Sequence, residues 1–155
     1  MAKFELQLPD TLMKDFQKIY DNADEIFGEM TQAGAEVVEK NMKANAPSKL
    51  GNYVKTTKVY KTPSDDGINT KVYISGYLPF SSPGRKYFSR SGSSGKSYRT
   101  TDGVPADFLA KIYEYGRSTA PFPKHPFVRK AFKKSDIEKA MLDAQKKASG
   151  GLLDE

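Results

Sequence analysis

Few side chains in this sequence are placed to do covalent chemistry. His125 is the only histidine. It stands between Lys124 and Pro126 with no acid or thiol near it, so work as a general base would need a nucleophile or an orienting acid from elsewhere in the fold. A solvent-facing or corner-packing histidine needs no such partner, and that is the reading taken. Asp65-Asp66 falls inside Thr62-Pro63-Ser64-Asp65-Asp66-Gly67, where Asp is expected for turn geometry. A hard cation would need more oxygen ligands than this turn supplies. Ser91-Gly92-Ser93-Ser94-Gly95-Lys96 has the composition of a phosphate loop but not its strand–loop–helix setting. Glu114, beside Gly116, is the remaining acid at a distinctive place, and it reads as an exposed acid near a helix end. No catalytic residue, metal ligand set or cofactor site is expected.

Binding chemistry is better represented. Residues 79–104 hold seven serines, four glycines and five basic residues against one acid. Arg85, Lys86, Arg90, Lys96 and Arg99 interleave with Phe80, Tyr87, Phe88 and Tyr98, a mixture that suits single-stranded nucleic acid through phosphate contacts and base stacking. It equally suits an arm that orders against a neighbouring subunit. The composition does not build a core, so a long flexible basic loop is expected here. Charge supports the emphasis: residues 1–50 carry 6 basic and 9 acidic groups, residues 51–104 carry 9 and 3, and residues 105–155 carry 10 and 7. The basic excess sits in the middle of the chain, which points to an anionic neighbour there or to a solvated charged face.

The elements that position these groups meet at Phe108–Phe132. Phe108, Leu109, Ile112 and Tyr113 have helical spacing, and Gly116 is the expected stop, since glycine alone takes the left-handed conformation without a Cβ clash. Pro121, Pro123 and Pro126 hold the next stretch extended. Pro126 is then expected to open a second helix, with Phe127, Val128, Ala131 and Phe132 as its buried stripe. Ser135-Asp136-Ile137-Glu138 has the form of a capping box, and the apolar phase jumps between Phe132 and Ile137, which predicts a bend or a new helix near Lys134. Residues 150–155 are expected to fray.

Upstream, Ala2–Leu8 alternates Phe4, Leu6 and Leu8 with polar residues and predicts an edge strand. From Leu12 the apolar positions run Leu12, Phe16, Ile19, Ala23, Ile26, Met30, Ala33 and Val37, predicting a helix to about Asn45 with a kink or break at Tyr20-Asp21-Asn22. Such a heptad stripe fits an inter-subunit coiled coil. Because Tyr20, Phe27 and Val38 widen it, an amphipathic helix lying across its own sheet is preferred. Tyr53–Lys61 and Thr70–Leu78, on either side of the turn at 62–67, predict an antiparallel hairpin.

Two short motifs carry a resemblance. Tyr113-Glu114-Tyr115-Gly116 followed by Pro126-Phe127, and Ala46-Pro47 followed by Gly51 after the first long helix, resemble the tail-completion, or head-tail joining, proteins of long-tailed phages and prophages. Arg117 stands where that family usually has Thr, and Tyr53 where it has Leu. The resemblance gives Pro47, Gly51, Glu114, Gly116, Pro126 and Phe127 structural roles. It implies a virion structural protein of the neck, a subunit of a homo-oligomeric ring that meets head connector and tail proteins and lies close to passing DNA. Such a protein would assemble in the host cytoplasm before joining the virion.

With 155 residues and no cysteine, one domain in a reducing compartment is expected. No apolar run reaches the roughly 18 residues of a membrane span, and no signal peptide is recognised, so a soluble protein without membrane contact is expected. The fold class read from the whole is α+β: a small antiparallel sheet packed against a long N-terminal helix and a C-terminal helix, with a long basic loop. A small basic nucleic-acid-binding protein is the alternative function. A small ribonuclease toxin has the weakest support.

Overall fold

The computed structural model describes residues 10–64, 67–80, 84, 86–91, 97–101, 103–117 and 122–150. The expected strand at Ala2–Leu8 and the acidic pair Asp65-Asp66 lie outside these residues, as does the tail beyond Gly150. The architecture is α+β, as expected. Two helices, α1 (Asp10–Asp21) and α2 (Ala23–Asn45), meet at Asn22, the break that the Asp-Asn pair predicts. Hydrogen bonds from Asn22 N–H to the Lys18 carbonyl and from Ile26 N–H to the Asn22 carbonyl carry the helical pattern across the junction. Among the described residues, eight short strands, all paired antiparallel in twos, and three further α-helices follow. The chain divides into two compact units, Met1–Ala35 with Lys58–Thr70 and Lys134–Glu155, and Glu36–Thr57 with Lys71–Lys133.

In the first unit, β2 (Tyr60–Lys61) and β3 (Ile68–Asn69) form the tip of the predicted hairpin. Its turn is closed by Thr62 N–H donating to the Gly67 carbonyl at 2.9 Å, and the Asn69 amide donates to Thr62 Oγ1 and to the Gly67 carbonyl. Lys61 pairs with Asp24 of α2. Helix α5 (Lys134–Ala148) comes close to α2 at Gly34, where an added Cβ would lie 3.2 Å from Met141. Helix α1 departs from expectation. None of its residues is buried, and Leu12, Met13, Phe16 and Tyr20 are 38%, 55%, 56% and 78% exposed. Its apolar stripe is therefore left exposed by the described residues of its own unit. Ser135 also falls inside α5, bonding to Asp136 at 3.3 Å, so it does not cap the helix as the sequence pattern suggests.

The second unit holds most of the buried core: Val38 and Met42 of α2, Leu50, Val54, Ala106, Ala110, Phe127 and Ala131. A 3-10 turn, Ser48–Tyr53, follows Pro47, whose extended φ of −66° and ψ of 133° end the helical run. Gly51 allows a close approach here, since a Cβ there would lie 3.0 Å from the Lys43 carbonyl oxygen of α2. Strands β1 (Val54–Thr56) and β4 (Val72–Ile74) pair as Val54↔Ile74, Lys55↔Tyr73 and Thr56↔Val72. Strands β5 (Tyr77–Pro79) and β8 (Gly103–Pro105) pair next, and β8 runs directly into α3 (Ala106–Tyr115).

The stretch 79–104 is more regular than its composition suggests. Within it β6 (Tyr87–Ser91) pairs with β7 (Ser97–Thr101) over five positions, from Tyr87↔Thr101 to Ser91↔Ser97. Local backbone pairing needs no apolar periodicity, so the absence of a core pattern there did not exclude strands.

Gly116 ends α3 with φ +78°, and its N–H donates to the Ile112 carbonyl at 2.7 Å. A Cβ at Gly116 would also sit 2.9 Å from the Phe122 carbonyl oxygen. Gly116→Val is accordingly expected to destabilise the protein by roughly 2–3 kcal/mol through left-handed strain and this backbone clash. Thermal melts of Gly116→Val against Gly116→Ala and wild type check it, and a Val variant no less stable than Ala would refute the account.

Candidate functional site: a capped corner and the groove beside it

Beyond Gly116 the chain turns back on α3. Arg117 and Phe122 exchange backbone hydrogen bonds at 3.3 and 3.2 Å, and His125 N–H donates to the Tyr113 carbonyl at 2.7 Å. Phe122 sits edge-on to Tyr113 with centroids 5.1 Å apart, and the His125 ring lies 6.1 Å from Phe122. His125 is exposed and held at the corner, as the sequence suggested.

The next three residues meet Glu114. This side chain is buried, only 4% exposed, where the sequence reading had an exposed acid. One carboxylate oxygen accepts from Phe127 N–H at 2.9 Å and Val128 N–H at 3.0 Å. The other accepts from Arg129 Nε at 2.7 Å and Arg129 N–H at 3.4 Å. These are the unsatisfied donors at the start of α4 (Val128–Ala131). Glu114 therefore caps α4 from another helix, with its charge on the favourable end of the dipole. At the other end of α4, the Asn41 amide of α2 donates to the Ala131 carbonyl at 3.1 Å.

This cap corrects two expectations. Pro126 lies before α4 instead of opening it, because the carboxylate engages the N–H groups from Phe127 onward and Phe127 takes the N-cap position. Helix α4 has only four residues, so Phe132 falls beyond it and is 60% exposed, while Phe127 and Ala131 are buried at 1% and 0%.

Burial pushes the Glu114 carboxyl up. Arg129 and the N–H groups of Val128, Arg129 and Phe127 outweigh burial and hold the carboxyl below the ordinary glutamate range. With four donors on two oxygens it is a structural anion, without a lone pair poised to take a substrate proton. Arg129 stays largely solvent-exposed, and its guanidinium lies 5.6 Å from the centre of the Tyr115 ring. A second lowered carboxyl, Glu39, is held down by Lys43 and then by Thr56, whose hydroxyl donates to it.

Beside the corner runs a groove of about 330 Å³, lined by Met42, Val72, Ile74, Ala110, Tyr115 and Val128 among others. Glu114 forms part of its wall. Lys86 is exposed just before β6. Arg90 lies in β6 opposite Tyr98, and Arg99 lies in β7 opposite Ser89. Arg85 and Lys96 lie outside the described residues. Among the described residues no group of three or more acids or histidines is placed to hold a metal, and no helix is long and apolar enough to cross a membrane.

Residues 10–78 match the family model described as "Bacteriophage HK97-gp10, putative tail-component". No curated protein and no solved structure matches the chain. The matched segment runs from α1 into β5, so it contains Pro47 and Gly51 and stops short of the Glu114 corner.

Proposed function

We propose that this chain is a structural subunit of a tailed phage or prophage that completes the tail and joins it to the head connector, working as a homo-oligomeric ring in the neck without catalysis. The similarity of residues 10–78 to a phage tail-component family carries this reading. The exposed apolar stripe of α1, inside that segment, supports it. Four large apolar side chains along one helix face are costly to leave in water, and burial against another subunit would recover about 25 cal/mol for each Å² covered. The subunit is made in the host cytoplasm and ends in the virion. The β6–β7 stretch, with its Lys and Arg residues, then faces DNA passing through the ring or a neighbouring subunit.

Disrupting the gene in an inducible prophage is expected to leave DNA-filled heads and separate tails, seen by negative-stain electron microscopy. Adding the purified protein to such a lysate should restore joined particles. Normal infectious particles from the disrupted strain would overturn the reading. Binding to nucleic acid that weakens steeply with salt, together with normal particles, would put the nucleic-acid-binding alternative in its place.

A further inference from the structure

The groove beside the Glu114 corner follows the edge of a strand. Successive strand residues point to opposite faces, and Val72, Tyr73 and Ile74 of β4 all line it, as they would where a groove follows a strand edge. Among the described residues, strand β4 pairs with β1 alone. Ser75 N–H donates to the Tyr53 carbonyl and Thr57 N–H to the Lys71 carbonyl. The bonded pairs of this ladder therefore fall at 53/75, 55/73 and 57/71, and the main-chain groups of Val72 and Ile74 point away from β1, toward the groove. An edge of this kind is a template for one more strand.

We propose that β4 takes an added strand there, and that the strand is the Ala2–Leu8 segment of a neighbouring copy of the chain. This inference rests on the assembly reading above. The segment has the chemistry the groove asks for: Phe4, Leu6 and Leu8 alternate with Lys3, Glu5 and Gln7, so one face can fill the apolar groove while the other stays in water. Its seven residues reach about 23 Å when extended, ample for an edge of three. Lys3 and Glu5 lie about 6.6 Å apart along a strand. Asp107 and Lys111, both exposed at the rim of the groove, lie one turn or about 6 Å apart on α3, with the signs needed to pair with the water-facing Lys3 and Glu5. A neighbour supplies the segment because the chain resumes in α1, which has no buried residue. A helix without an anchor in its own core can carry the preceding residues to another molecule.

The chain has no cysteine, so introduced thiols report contacts without background. Full-length Glu5→Cys and Tyr73→Cys chains carrying different tags are mixed under oxidised glutathione over a concentration series. The disulfide-linked heterodimer is expected to exceed a control pairing of Glu5→Cys with Lys130→Cys by roughly tenfold, because docking raises the effective concentration. Lys111→Cys, on the exposed wall of the groove, serves as a second acceptor should Tyr73→Cys perturb folding. Adding Phe4→Asp and Leu6→Asp to the donor chain should return the yield to control without moving its melting temperature. Control-level yield at both acceptors overturns the proposal. So does concentration-independent ring closure within a doubly substituted Glu5→Cys/Tyr73→Cys chain. Sedimentation of the same samples separates the two failures: association with control-level crosslinking removes only the added strand, whereas no association at any concentration removes the assembly reading as well.

Discussion

Truncating Phe127 to alanine is expected to destabilise the protein by about 3–5 kcal/mol. Phe127 is 1% exposed and, with Leu50 and Val54, among the largest side chains fully enclosed by the fold. Its loss removes the transfer free energy of an aromatic ring and leaves a cavity bounded by elements that cannot all relax inward. The backbone on its C-terminal side is pinned, because the N–H groups of residues 127 to 129 are bonded to Glu114. Phe127→Leu, which keeps most of the volume, should cost markedly less. Denaturant melts of the two variants provide the check. If alanine and leucine have the same midpoint, Phe127 does not anchor the corner.

The second large effect is expected at Glu114. Glu114→Ala removes the acceptor of four donors, one of them the buried N–H of Phe127, and should cost about 3 kcal/mol at neutral pH. Glu114→Gln keeps one acceptor oxygen and the size but loses the charge, so a smaller cost is expected. Acid separates these variants further. The folded carboxyl is held below its unfolded value of about 4.3, so its contribution is fully present above that value and is lost as the pH falls through the lower folded value. The stability gap between wild type and Glu114→Gln should therefore be constant from neutral pH down to about pH 5 and close below about pH 4. Glu39 contributes acid sensitivity of the same sign. It is common to both proteins and drops out of the difference. A gap that widens in acid would refute the assignment.

These residues also show where a sequence can and cannot be read. The break at Asn22, the stop at Gly116, the hairpin across residues 62–67 and the discontinuity near Lys134 were all legible, because each depends on local propensity or on a φ that few residues adopt. Phe127 was legible as core. Glu114 was legible as notable but not as buried: its donors lie 13 to 15 residues away, and no periodic pattern registers a side chain that caps a different helix. The helix it caps is also shorter than predicted, and Phe132 falls outside it. The heptads of α1 and α2 fixed the helices but not what covers them. Their stripe was assigned to the chain's own sheet, yet α1 has no buried residue. The β6–β7 pairing was missed because its residues carry no apolar alternation.

The dependence of α4 on two remote side chains has a kinetic consequence. Four residues are too few to form a stable helix in isolation, and the bonds that hold α4 come from Glu114, 13 residues upstream of Phe127, and from Asn41, 90 residues from Ala131. The second requires closure of most of the chain before it repays any entropy. The corner is thus expected to be completed late, after the barrier has been crossed. Interactions made at that stage govern how long the native state persists more than how quickly it is reached, so the clasp around α4 sets the lifetime of the folded subunit.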